Sequence, residues 1–147
     1  MEDTKGVATS NKKTVKSRKD IAVDFLRFIG SGRPKEGLHY FAPNCTTHNP
    51  YVPGDMNALT DAMVAVQEKG AAGIIEGSSA EFKLIIIHVL AEEDLVAVHT
   101  QLTSSNPDDG GLRQVHLFRF EGDSIVEYWD ITQLVPENAP NAAAAFS

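Results

Sequence analysis

The stretch "LRQVHLFRF-EGDS-IVEYWDITQLV", residues 112–135, reads as two β-strands joined by a tight turn. Both arms are rich in β-branched and aromatic residues and contain no glycine or proline, while Gly122 and Asp123 supply turn chemistry between them. Side chains alternate along a strand, so Gln114, His116, Phe118 and Phe120 share one face of the first arm. On the return arm Val126, Tyr128, Asp130 and Thr132 share a face, and Glu127, Trp129 and Ile131 take the other. A three-residue loop containing Gly122 and Asp123 aligns even positions with even, and sets His116 opposite Asp130 or Tyr128. A two-residue loop puts His116 opposite Trp129 and separates it from Asp130. Asp130 is the residue that does not belong by propensity, because aspartate is depleted in strands and seldom buried without a partner.

Working outward, "EFKLIIIHVL", "AEED" and "LVAVHTQLT" form an earlier hairpin of the same kind, and its Ile-Ile-Ile run predicts burial on both faces. "SSNPDDGG" is a loop tip, and Pro136 and Pro140 end the sheet before a small-residue tail. Towards the amino terminus the period becomes helical. Ile21, Phe25, Phe28 and Ile29 recur at helix spacing over about residues 19–29, with Ser17 as N-cap and Gly30 and Gly32 as the stop. Arg33-Pro34 starts a shorter helical stretch that Pro43 ends, and "NCTTHNPYVPGD" (44–55) is a loop or short strand with turns. A third helix follows, capped by Asp55 or Asn57, with Leu59, Met63 and Val66 inward and Gly70 closing it. Helices first and antiparallel strands after is the α+β pattern: one strongly curved antiparallel sheet packed against N-terminal helices, with a cavity between.

At 147 residues the chain is long enough for one domain with a sizeable core. Residues 20–147 are expected to form it, and residues 1–19 a flexible tail holding six of the 13 basic residues. A net charge of −7 argues against nucleic acid or an anionic membrane as partner of the folded part. Cys45 is the only cysteine, so no intrachain disulfide forms, and its plain role is a small buried side chain. No apolar leader is visible, and the run from Leu84 is too short to span a bilayer, so a cytoplasmic protein is expected.

Chemistry is carried by the last hairpin. If its faces coincide, Gln114, His116, Tyr128, Asp130 and Thr132 are presented together among apolar residues. Apolar walls raise a carboxyl pKa and make it a better base near neutrality, while a neighbouring imidazolium pulls it down. A carboxylate beside an imidazole, with a tyrosine near, suits proton abstraction next to a carbonyl. The plainer alternative is a satisfied His–Asp pair that fixes strand register. His48 sits by a turn, and His88 and His99 read as half-buried strand histidines. No HExxH or similar ligand spacing, no GxGxxG, no P-loop and no GxSxG is present, so neither metal nor nucleotide cofactor is expected.

"THNPYVPGD", "LAEEDLVAVHTQL" and "HLFRFEGDSIVEYWDITQLVPENAPN", in helix-first order, resemble the SnoaL-like polyketide cyclases of the nuclear-transport-factor-2-like superfamily. The resemblance covers about residues 20–147 and implies a cone-shaped α+β barrel, commonly a homodimer, that needs no cofactor. It implies Asp130 as acid/base for an aldol closure, His116 as its partner on the preceding strand, and Gln114 as substrate contact. His48 and Asn49 match a motif near the pocket mouth, and Tyr128, His99 and Trp129 join the expected substrate-binding set. Tyr128 stands where relatives often carry histidine. The implied function is cyclisation or a related proton transfer, isomerase-like, on a hydrophobic carbonyl compound. The alternatives are a non-catalytic binding or scaffold domain, and a hydrolase or dehydratase using an activated water.

Overall fold

The computed structural model describes residues 16–68, 82–104, 111–136, 138–141 and 144. Helix α1 (Arg18–Gly30) starts where its sequence says it should. The Ser17 hydroxyl accepts from the Asp20 amide and the Asp20 carboxylate accepts from the Ser17 amide, which satisfies two otherwise orphan donors. Its buried stripe is Ile21, Ala22, Phe25 and Leu26. Just before it, Lys16 donates to Asp24 and to the Tyr40 hydroxyl, so the described end of the expected tail is tied down. Residues 1–15 of that tail lie outside the described residues, as do the expected helix stop at Gly70 and most of the loop tip at 104–111.

A 3₁₀ helix (Pro34–Tyr40) follows, with Pro34 at its first position, where a missing N–H costs nothing. Gly37 lies against α1 so closely that a Cβ there would meet Phe25 Cδ1 at 2.7 Å. The segment after it differs from expectation. Pro43 does not end a helix but sits inside strand β1 (Phe41–Thr47), which runs parallel to the last strand at the sheet edge. An edge strand has one unpaired side, so proline is tolerated there. Helix α2 (Met56–Glu68) is capped by Asp55, whose carboxylate accepts from the Ala58 amide, and it buries Met56, Leu59 and Thr60.

Strands β2 (Phe82–Glu92), β3 (Leu95–Ser104), β4 (Leu112–Glu121) and β5 (Ser124–Leu134) complete a curved, unclosed sheet in the order β1-β5-β4-β3-β2. The fold class is α+β as expected, and the parallel β1 makes the sheet mixed rather than wholly antiparallel. The inner face carries Val96, Val98, Phe118, Phe120, Ile125 and Tyr128, all buried in one core with Ile21, Phe25 and Leu26 of α1. Phe25 is the knot of this core. Its ring meets Phe41 edge-on at 4.7 Å and lies 6.0 Å from Tyr128 and 6.1 Å from Phe118. The outer face is open in this chain. Ile85 and Leu90 stay 37% and 66% exposed, so the isoleucine run is not buried on both sides. Among the described residues no helix is long and apolar enough to cross a membrane.

Candidate active site

The β4–β5 turn sets which side chains meet. It is a two-residue loop, Gly122-Asp123, with φ +60° at Gly122, a conformation glycine adopts at no steric cost. Such a loop alone pairs His116 with Trp129. The register is restored one step later by a β-bulge. Phe120 pairs Ile125, Arg119 pairs Glu127, and Val126 is the extra residue. Beyond the bulge even faces even: Phe118 opposes Tyr128, His116 opposes Asp130 and Gln114 opposes Thr132. The expected three-residue loop is thus corrected, and the expected pairing holds for a different reason.

His116 is 3% exposed and Tyr128 fully buried. Burial drives the imidazole down to about 4, so the ring is neutral at pH 7. Burial, and then the charge of Asp130, raises the Tyr128 phenol well above its usual range, so it stays protonated. A buried hydroxyl needs an acceptor, and Tyr128 donates to His116 Nδ1 at 2.7 Å. That leaves the ring proton on Nε2, which points at the Thr100 hydroxyl over a longer 3.3 Å. The expected imidazole–carboxylate hydrogen bond is therefore absent: Tyr128 and Thr100 occupy both ring nitrogens, and Asp130 faces His116 without bonding it.

Asp130 is held by Asn49 instead. Asn49 Nδ2 donates to Asp130 Oδ2 at 2.7 Å, and Asn49 Oδ1 accepts from the Tyr51 and Val52 amides at 2.8 and 3.1 Å. Those two amides fix which way the Asn49 side chain points. The other carboxylate oxygen, Oδ1, is buried and has no hydrogen-bond partner. Burial raises the Asp130 carboxyl above the usual range, and the Asn49 bond opposes that shift without cancelling it. Gln114 Nε2 donates to the Thr132 hydroxyl at 3.2 Å. Along β5 burial falls from Tyr128 to half-buried Asp130 to exposed Thr132, so the cluster opens at the Gln114–Thr132 end.

Three residues of the expected substrate-binding set lie on the opposite face. The chain leaves β1 in alternation, so Asn49 reaches the inner face while His48 goes out. The His48 ring stacks on Trp129 at 4.7 Å and 6°, and its Nε2 donates to Glu127 at 2.7 Å. Glu127 also accepts from Arg119 at 2.8 Å. His99, at an odd position of β3, meets His88 and Arg113 there. His48, His99 and Trp129 are thus separated from Asp130 by the thickness of the sheet. Thr100 joins the inner cluster without having been singled out by sequence. Its signal was the alternation of Val96, Val98 and Thr100, which becomes informative only once β3 is registered against β4.

A cavity of about 400 Å³ lies by the outer side of β1, β4 and β5, lined by Asn44, Thr46, Arg119, Glu121, Ser124 and Val126. A second, of about 100 Å³, lies between β1 and α2 beside Cys45. Neither touches Asp130 or His116. Burial pushes the Cys45 thiol up to about 11, which leaves it unreactive at neutral pH. Among the described residues no group of three or more His, Cys, Asp or Glu is arranged to hold a metal ion.

Residues 22–128 match the SnoaL-like domain family. Among solved structures, the chain is similar to an NTF2-like protein of unknown function from Cytophaga hutchinsonii. The two are 12% identical over 83% of this chain and 95% of that one, with a TM-score of 0.61. It is also similar to a candidate polyketide cyclase from Streptomyces antibioticus, at 16% identity over 80% and 93% of the chains and a TM-score of 0.63. A candidate hydroxylase from Streptomyces galilaeus is 14% identical over 87% and 83%, with a TM-score of 0.63. At these identities the likeness is one of fold. No curated protein matches the chain.

Proposed function

The chain belongs to the SnoaL-like domain family, and on that premise we propose that it is a cofactor-independent acid/base enzyme acting on a hydrophobic, enolisable carbonyl compound of polyketide type. One observation carries this reading. Asp130 has one oxygen anchored by Asn49 and the other buried and unpartnered, with burial making the carboxylate a stronger base than usual. Asp130 Oδ1 takes the proton next to the substrate carbonyl. The resulting enolate carbon attacks a second carbonyl of the same molecule, and Asp130 returns the proton to the new alkoxide. His116 acts as a neutral donor: its Nε2–H leaves the long Thr100 contact and hydrogen-bonds the enolate oxygen. Tyr128 fixes the tautomer that makes this possible, and Gln114 meets substrate at the open end. The solved structure described as a candidate polyketide cyclase supports cyclisation as the class of reaction.

The single domain opens at α1, and its unpaired Cys45 and acidic charge support a cytoplasmic setting without nucleic acid. Family likeness supports a second copy of the chain as partner. One observation favours a second reading, a binding or scaffold domain without turnover: neither described cavity touches Asp130.

The test is hydrogen–deuterium exchange at the α-carbon of 2-tetralone, followed by NMR, with the parent chain and Asp130→Asn. Loss of the catalysed exchange by about 100-fold or more is expected. Equal rates for the two, with ligand bound by both, reject the acid/base reading and leave the binding domain.

A further inference from the structure

His48 and Asn49 are neighbours in "THNPY", yet only Asn49 reaches Asp130. The regular pairing of β1 with β5 has already ended there, because its last partners are Thr47 and Tyr128. Pro50 has no N–H and cannot extend the ladder, and it restricts Asn49 to extended backbone. Asn49 Oδ1 accepts from the Tyr51 and Val52 amides, which belong to its own turn. Those bonds fix how the side chain points within the turn. They do not fix where the turn sits against β5.

His48 supplies the contacts to β5 that the turn lacks. Its amide donates to the Tyr128 carbonyl at 3.0 Å. On the outer face its Nε2 donates to Glu127 Oε2 at 2.7 Å, and its ring lies flat on Trp129. Glu127 is itself held, because its other oxygen accepts from Arg119 at 2.8 Å. Two successive residues thus grip four: His48 holds Glu127, Tyr128 and Trp129, and Asn49 holds Asp130. One exposed ion pair contributes little to stability. A ring stack, a side-chain bond and a backbone bond on one residue nevertheless define a position.

We propose that His48 is a positioning residue for Asp130: clamped from the outer face by Glu127 and Trp129, it sets the place of Asn49, and through Asn49 it orients the carboxylate on the inner face. The assignment deepens the acid/base reading and rests on it for its catalytic meaning. The His48 side chain itself is kept from the inner face by the sheet. Among the described residues, the titratable groups beside Asp130 are His116 of β4 and Tyr128 of its own strand, both held neutral by burial. Glu127 and Arg119 lie on the far side. Without the clamp, Asn49 withdraws its N–H from Asp130 Oδ2. A bond that favours the ionised carboxylate is then lost, and the carboxyl titrates higher.

The test is carboxyl-carbon NMR of the full chain, with the Asp130 signal assigned by its loss in Asp130→Asn. His48→Ala is expected to raise the Asp130 midpoint by about 0.5–1 pH unit. The rate of 2-tetralone exchange below that midpoint should fall by about 3- to 10-fold with it. An effect of the imidazole through space could act in the same direction, and Asn49→Ala separates the two. If His48 acts through Asn49, adding His48→Ala to Asn49→Ala moves the midpoint no further; shifts that add overturn the proposal. So does an unmoved midpoint in His48→Ala, which is the result for a residue that serves stability alone. Should His48→Ala not fold, Trp129→Leu decides, because it removes the stacking surface and leaves His48 in place. It must raise the Asp130 midpoint, and an unmoved one rejects the clamp. The titration is read whether or not the chain turns over 2-tetralone, so a parent without exchange rejects the acid/base reading while the NMR still decides the clamp.

Discussion

Asp130 sits at a compromise between chemistry and stability. A carboxylate with one buried, unpaired oxygen weakens the fold, and the same burial raises its proton affinity, as the proposed role of base requires. Asp130→Asn keeps an acceptor for Asn49 and removes the orphan charge, so it is expected to stabilise the chain by about 1 kcal/mol while abolishing proton transfer. A melting temperature below the parent's would refute that account. Asn49 favours the ionised carboxylate, so Asn49→Ala should raise the Asp130 carboxyl further. A base must be ionised to act, so the acid limb of the exchange rate should move to higher pH, and an unmoved limb would show that Asn49 does not set it. His116 and Asp130 were legible from sequence only as residues of matching parity, because period-two alternation is strict; their pairing hung on the loop length, and the bulge that secures it left no signal. That His116 bonds Tyr128 and Thr100 instead was not legible, because side-chain rotation about one backbone position leaves no trace in residue order.

The β4–β5 hairpin accommodates Val126 as its extra residue at the level of the element. Deleting it would leave the two-residue loop with regular pairing, Arg119 still opposite Glu127 and His116 still opposite Asp130. The expected outcome is a chain that melts cooperatively with a native-like near-ultraviolet spectrum, and loss of the cooperative transition would show that the bend of the bulge is itself required. Sequence could not reveal this bulge: it carries no glycine, and valine is as suited to a regular strand as to the extra position. The helices were plainer. Ser17 and Asp20 spell a capping box, and Ser17→Ala should cost about 1 kcal/mol in denaturant unfolding. Strand β1 was obscured because Pro43 signals a break, and its tolerance on a free edge shows only once the neighbouring strand is known. The same ignorance merged His48 with Asn49, adjacent residues that the end of β1 sends to opposite faces.

For the whole molecule, the buried neutral His116 ties stability to pH. Its ring titrates near 6.5 unfolded and about 4 folded. The unfolded chain therefore binds the extra proton between those values, and stability present above 6.5 is lost as pH falls towards 4, by about 3 kcal/mol in total. Denaturant unfolding from pH 7 to pH 4.5 should follow that slope, and His116→Gln should flatten it; a flat parent curve would mean the ring is hydrated in the folded state. Packing sets the scale for comparison, since Phe25→Ala at the meeting point of α1, β1, β4 and β5 should cost about 3–5 kcal/mol.

The pairing of β1 with β5 joins the first strand of the sheet to the last. Asn49 and Asp130, the holder and the held, are 81 positions apart, and they meet only through that pairing. A chain emerging from the ribosome can assemble α1, the 3₁₀ turn and the β2–β3 hairpin while this partner is still unmade, and so distant a contact is slow to find. The Asp130 carboxylate is thus among the last things to be oriented. On the proposed acid/base reading, a nascent or frayed chain presents no oriented base, and competence would arrive together with the completed sheet.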